Sequence, residues 1–251
     1  MRVRSAFALA SVAFTIAACA STGGANGSST AAVRGDTLLP GDARIDARRL
    51  APGTEQVAWT MERAGQPSRN FGNAVDQLGS VSLDGQAALL RVMTVQRGTA
   101  TLIDSTWSDA RTLAARRHRS VQPGRRLFVD WADRAITGRI EPASGAPIAR
   151  DATYLVPSFD SSNWELIVRA MDLNVGVRRV YPVYDVDGLL QWYVARVTDT
   201  TSVAGRPAWV VKAELGTSGT ATLTIEQATR RLASVEVPLG QGTLRMASGS
   251  R

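Results

Sequence analysis

The sequence predicts a mainly β fold, an antiparallel meander with one helix laid against its sheet. Three observations carry that prediction. Trp209, Val211, Ala213 and Leu215 alternate with Val210, Lys212 and Glu214, the period of two of a strand with one face more buried than the other. Short runs of strand-forming residues follow one another along the chain, separated by tight-turn signals such as Asp84-Gly85, Asp187-Gly188, Gly205-Arg206-Pro207 and Gly240-Gln241-Gly242. Connections this short join antiparallel strands, because parallel pairs need long crossovers. One segment breaks the pattern: Trp164, Ile167, Val168 and Met171 recur at helical spacing.

Taken in chain order, a short helix is expected over Ala43 to Leu50, stopped before Pro52. Strands follow over Val57 to Arg63, Ser80 to Ser82, Ala87 to Gln96, Thr99 to Trp107, Leu127 to Trp131 and Ile136 to Ile140. Ser162-Asn163-Trp164-Glu165 fits a capping box, so a helix of about three turns should start there and bury its apolar stripe against the sheet. The remaining strands are Val177 to Tyr184, Leu189 to Thr198, Trp209 to Leu215, Ala221 to Glu226, Leu232 to Val237 and Thr243 to Ala247.

The N-terminus has a different composition. Arg2 and Arg4 precede an apolar run from Ala6 to Ala18, too short to cross a hydrocarbon core of about 30 Å, so residues 1–18 read as a cleaved secretion signal. Ile16-Ala17-Ala18-Cys19 resembles a bacterial lipobox, in which the cysteine takes a diacylglyceryl group, although Ala18-Cys19-Ala20 also meets the small-x-small rule of ordinary signal peptidase. Cys19 is the only cysteine, and its position makes lipidation the expectation. The mature chain then has no disulfide and relies on its core.

Residues 19–40 are expected to form the lipidated cysteine and a flexible tether, with 41–251 a single domain. Acyl chains contribute about 0.8 kcal/mol per buried methylene, so the protein should be anchored to a membrane without spanning it. Ala20, in place of the Asp common in lipoproteins kept at the inner membrane, favours the outer membrane, facing the periplasm.

The formal charge is +7, and loss of Arg2 and Arg4 leaves +5 (7 − 2). Arginine supplies nearly all of it, since Lys212 is the only lysine. Arg111, Arg116, Arg117, Arg119, Arg125 and Arg126 crowd into a segment without acids that also holds the only histidine, His118. Two readings stay open here: a solvated strand pair with its turn, or a surface for anionic headgroups at Arg116, Arg117, Arg119, Arg125 and Arg126. Nucleic acid is not expected as a partner of an exported chain.

No constellation names a reaction. His118 is the only histidine available as a base, and its basic surroundings should lower its pKa and keep it neutral. Gly216-Thr217-Ser218-Gly219 has its second glycine one place too early for a nucleophile elbow. One histidine and a lipidated cysteine cannot supply the usual zinc ligands. Asp185-Val186-Asp187-Gly188 lacks the downstream glutamate of a calcium loop, and Gly240-Gln241-Gly242-Thr243-Leu244-Arg245 has Arg245 where a dinucleotide fingerprint needs its third glycine; both read as turns. The scattered acids leave paired-carboxylate glycosidase chemistry open, because their separation is a tertiary matter. Trp59, Trp107, Trp131, Trp164, Trp192 and Trp209 read as core filler or as the lining of an acyl-chain cavity.

A wider pattern joins these pieces. Val156-Pro157-Ser158-Phe159-Asp160 leads into the helix, and Leu173-Asn174-Val175-Gly176, Tyr181-Pro182-Val183-Tyr184 and Val203-Ala204-Gly205 follow it. Trp209-Val210-Val211-Lys212 and Ile225-Glu226 then come before Thr229-Arg230-Arg231-Leu232. Together they resemble a domain-of-unknown-function family of bacterial envelope proteins that is similar in fold to the LolA/LolB lipoprotein carriers. The resemblance runs from Tyr154 to Met246 and more faintly upstream through Asp104 to Ile140, towards Val57. It implies an incomplete half barrel whose concave face is covered by the helix, and binding of acyl chains or lipoproteins in that concavity.

The expectation is therefore a non-enzymatic lipoprotein, without cofactor or metal, that binds a lipid-like or hydrophobic ligand at Trp164, Ile167, Val168 and Met171. The alternative is a non-catalytic structural or protein-interaction module of the envelope.

Overall fold

The computed structural model describes residues 35–185, 189–240 and 242–249. The expected signal peptide, Cys19 and most of the expected tether lie outside these residues, as do 186–188 and Gln241 of the two expected turns. Among the described residues no helix is long and apolar enough to cross a membrane.

The strands in chain order are β1 (Gly53–Arg63), β2 (Arg69–Leu83), β3 (Gln86–Arg97), β4 (Ala100–Asp109), β5 (Ala115–Gln122), β6 (Arg125–Ala132) and β7 (Ala135–Pro142). Three two-residue strands follow, β8 (Ile148–Ala149), β9 (Ala152–Thr153) and β10 (Phe159–Asp160). After the helix α1 (Trp164–Ala170) come β11 (Arg178–Asp185), β12 (Leu189–Val203), β13 (Arg206–Glu214), β14 (Thr220–Glu226), β15 (Leu232–Leu239) and β16 (Gly242–Ser248).

All sixteen belong to one sheet, in the order β10-β11-β12-β13-β14-β15-β16-β1-β2-β3-β4-β5-β6-β7-β8, with β9 also on β7. Among the described residues, strands that neighbour one another in this order pair antiparallel, except β10 and β11, which run parallel. The last strand pairs with the first, β16 with β1, and this seam joins the two arms of the meander. The sheet curls so that β10 comes close to β5 without closing a barrel, and the helix lies on its concave face.

The expected strands are present, most of them longer than expected. Ser80 to Ser82 is only the end of β2, whose Asn, Gly, Asp and Gln residues are weak strand formers on their own. Ladders to both β1 and β3 override that weakness. The expected helix over Ala43 to Leu50 is reduced to a 3₁₀ turn, Ala47–Arg49, capped by Asp46.

The expected three-turn helix is two turns long and enters through a 3₁₀ turn, Ser161–Asn163. Asp160 provides the cap, accepting from the Ser162 amide at 2.9 Å, and the expected Ser162 and Glu165 box does not form. Glu165 is drawn away by two guanidinium groups, which attract a carboxylate more strongly inside a protein than a surface cap does.

The core lies between the helix and the arm β11–β15. Leu166, Ile167, Val168, Ala170 and Met171 pack there with Phe159, Tyr181, Tyr193, Val211, Leu223 and Ile225. Phe159, Tyr181 and Tyr193 meet edge to face at 6.2 and 6.0 Å between ring centres, the arrangement their quadrupoles favour. Tyr181 and Tyr193 are buried within this core, and Trp164 and Trp209 pack against it from its edge. Trp59, Trp107, Trp131, Trp164 and Trp209 are half-buried and Trp192 is 45 % exposed. The fold also begins earlier than residue 41: Leu38 is wholly buried and its amide donates to the Val180 carbonyl at 2.8 Å.

Candidate functional site

The concave face has a polar end and an apolar end. At the polar end, Arg91, Thr106 and His118 stand opposite one another on β3, β4 and β5 and point at the approach to the helix. Arg91 forks onto Asp76 (Nε to Oδ1 2.9 Å, Nη2 to Oδ2 2.7 Å), donates to the Ser162 carbonyl at 3.0 Å and pairs with Glu165. Glu165 also meets Arg169 at 3.4 Å. Burial opposes charge on both Asp76 and Arg91, but ionic attraction wins: Arg91 holds the Asp76 carboxyl below its usual value, and Glu165 followed by Asp76 holds the Arg91 guanidinium above its own. Thr106 donates to Asn163 Oδ1 at 2.9 Å, and Asn163 donates to Ser108 at 3.1 Å.

His118 completes this end. Its Nδ1 lies 3.2 Å from Asp160 Oδ2 and its Nε2 lies 3.4 Å from Asp104 Oδ1. The first contact is an ion pair without good hydrogen-bond alignment, because Asp160 Oδ2 has no aligned donor. Burial disfavours the imidazolium, yet Asp160 and then Asp104 outweigh it and raise the pKa to about 10. The neutral histidine expected from the basic sequence neighbourhood is thus corrected: folding surrounds it with acids from other strands. A protonated, buried histidine is not a general base. These contacts fasten α1 to the β3–β5 arm.

At the apolar end, strand alternation places a row of hydrophobic side chains on the face the helix occupies. Trp59 of β1 stands opposite Met246 of β16, which stands opposite Val235 of β15 and then Leu223 of the core. Met61 likewise stands opposite Leu244 and Val237. Met246 and Val237 pack against the core cluster that contains the helix, which fixes the side this row faces. Val57, Trp59, Met61, Leu244, Met246 and Val237 all remain half-buried. Their neighbours on the outer face, Gln56, Glu62 and Arg245, are exposed and polar. Beside Trp59, position 72 is a glycine; a Cβ there would come within 2.6 Å of the Gln96 carbonyl oxygen.

Beside the helix, at the start of β1, lies a cavity of about 140 Å³, lined by Ala51 and Pro52, Thr54 and Glu55 of β1, Asp76 and Leu78 of β2, Leu166 and Arg169 of α1, and Arg231. Arg231 donates to Glu55 at 3.0 Å. A larger open cleft of about 620 Å³ lies elsewhere, with Arg116, Arg117, Asp84, Asp130 and Trp131 among its walls.

The expected ligand residues lie on the sealed side. Ile167, Val168 and Met171 are wholly buried in the core and Trp164 partly so. The arginine segment does not lack acids once folded. Arg116 pairs with Asp109 at 2.6 Å, and Arg117 and Arg119 share Asp130 at 2.9 and 2.7 Å. Arg125 donates to Gln122 at 2.8 Å, and Arg126 is exposed.

The DUF3108 family, described as a protein of unknown function, matches residues 56–247. No curated protein matches the chain. Among solved structures, the chain is similar to a LolA superfamily protein from Nitrosomonas europaea at 8 % identity and a TM-score of 0.24, over 82 % of this chain and 88 % of that one.

Proposed function

The chain belongs to the DUF3108 family, and we propose that it is an envelope lipoprotein that holds the acyl chain of a lipid or lipoprotein on the uncovered part of its concave sheet. The observation that supports this reading is the strip of Val57, Trp59, Met61, Leu244, Met246 and Val237, apolar and only half-buried on the helix side. Covering large side chains of this kind stabilises by about 1.5–3 kcal/mol each when burial is complete. Contiguous apolar surface marks an interaction site. Val57 to Met61 spans about 13 Å at about 3.3 Å per residue, close to the half-thickness of a 30 Å hydrocarbon core that one acyl chain fills. Trp164, Ile167, Val168 and Met171 enter such a site only if the helix lifts.

Lipidation of Cys19 and residence at the outer membrane belong to the same proposal, since a tethered domain would keep the strip within reach of a bilayer. The membrane is then one partner and the lipid or lipoprotein cargo the other. No step in this reading needs catalysis.

One observation favours a second reading, a non-catalytic interaction module: the helix side is sealed, and the cavity beside it, about 140 Å³, is smaller than the few hundred Å³ usual for a ligand pocket. Solvent extraction of the purified protein followed by mass spectrometry separates the two. The carrier reading expects acyl lipids from the wild type and their loss from a Trp59→Asp, Met246→Asp variant. An empty wild type that also fails to take up a fatty-acid probe supports the module.

A further inference from the structure

The cavity of about 140 Å³ sits at the start of β1 beside the helix, and its charged walls are balanced. Glu55 and Asp76 face Arg169 and Arg231. Directly behind them Arg91 and Glu165 add one charge of each sign and pair with Asp76 and Arg169. Along β1 the order is Thr54 and Glu55 in the cavity, then Val57, Trp59 and Met61 on the strip. This charged socket, which Ala51, Pro52, Leu78 and Leu166 also line, therefore adjoins the head of the apolar track, with Glu55 and Val57 two residues apart on one face of β1. Resting on the acyl-chain reading above, we infer that this socket takes a small polar head group without net charge, of about glycerol size, whose acyl chain runs along Val57, Trp59 and Met61.

The argument is electrostatic. An ion entering the socket gives up its hydration and finds no unmatched counter-charge, because each guanidinium there already faces a carboxylate. A carboxylate head would draw Arg231 from Glu55 and strand that acid; an ammonium head would do the reverse to Arg231. Hydroxyl groups both donate and accept, so they can bridge Glu55 and Arg231 without breaking their 3.0 Å bond. The volume admits roughly four to five groups of water size at about 30 Å³ each.

The test compares three ligands with one twelve-carbon chain: monolaurin, laurate and dodecylamine. Each is titrated below its micelle threshold against the full chain by calorimetry. Monolaurin should bind at least about tenfold more tightly than either ion. Glu55→Gln should narrow the gap for laurate and leave dodecylamine disfavoured. Arg231→Gln should do the opposite, and either variant that folds suffices to read the sign. Equal binding of all three ligands by the wild type would overturn the head-group inference and leave the strip standing. Binding of none by a folded wild type would overturn both.

Discussion

His118 Nδ1 lies 3.2 Å from Asp160 Oδ2, tying the middle of β5 to the two-residue strand that feeds the helix. The contact has a pH signature. A histidine whose folded pKa is raised to about 10 contributes stability that is complete below its unfolded value of about 6.5 and is lost as pH rises through 10. Denaturant midpoints should therefore fall between about pH 7 and 10, with a slope of up to about 1.4 kcal/mol per pH unit. A His118→Asn variant should be less stable at pH 7 and nearly flat across that range. A wild-type curve already flat there would mean that His118 is not charged in the fold.

Arg91 is the other bolt between helix and sheet. Arg91→Met leaves Asp76 without its paired guanidinium and Glu165 with Arg169 as its remaining ion-pair partner, and should cost about 3–5 kcal/mol in urea denaturation. Adding Asp76→Asn to the same chain should recover part of that loss, because the stranded charge is removed.

Met171 is wholly buried between helix and sheet. Met171→Ala should carry a full core penalty of about 2–5 kcal/mol. Acyl-probe affinity should stay unchanged in the folded fraction, since the proposed strip lies on other strands.

Arg117 and Arg119 share the single carboxylate of Asp130. If this face meets anionic bilayers, Asp130→Asn should strengthen binding of an unlipidated Cys19→Ser chain to anionic vesicles. Arg117→Glu with Arg119→Glu should weaken it, and salt should weaken it throughout as screening shortens to about 8 Å. Unchanged cosedimentation in all variants would leave these arginines as a solvated face.

The meander was legible in the sequence because its signals are local: alternation in Trp209 to Leu215 and tight turns between runs report strands one at a time. The length of β2 was not, since Asn70, Gly72, Asn73 and Asp76 become strand only through their ladders to β1 and β3. The apolar strip was half legible. Leu244 and Met246 flank Arg245, and Trp59 and Met61 flank Thr60, but that they share one face follows only from the pairing of the last strand with the first. The charge on His118 was hidden for the same reason: its sequence neighbours are arginines, and its acids arrive from β4 and β10. Lone polar residues at inward positions of apolar strands, as Arg91 within β3, were the available hint of the polar end.

Trp59 offers the most direct test of the acyl-chain site. Wild-type protein and a Trp59→Phe variant are titrated with a brominated fatty-acyl glycerol, whose bromines quench indole fluorescence on contact, and the difference isolates Trp59. The account predicts saturable quenching that the wild type shows and the variant largely loses. Quenching of equal depth in both proteins, or none in either, would contradict it.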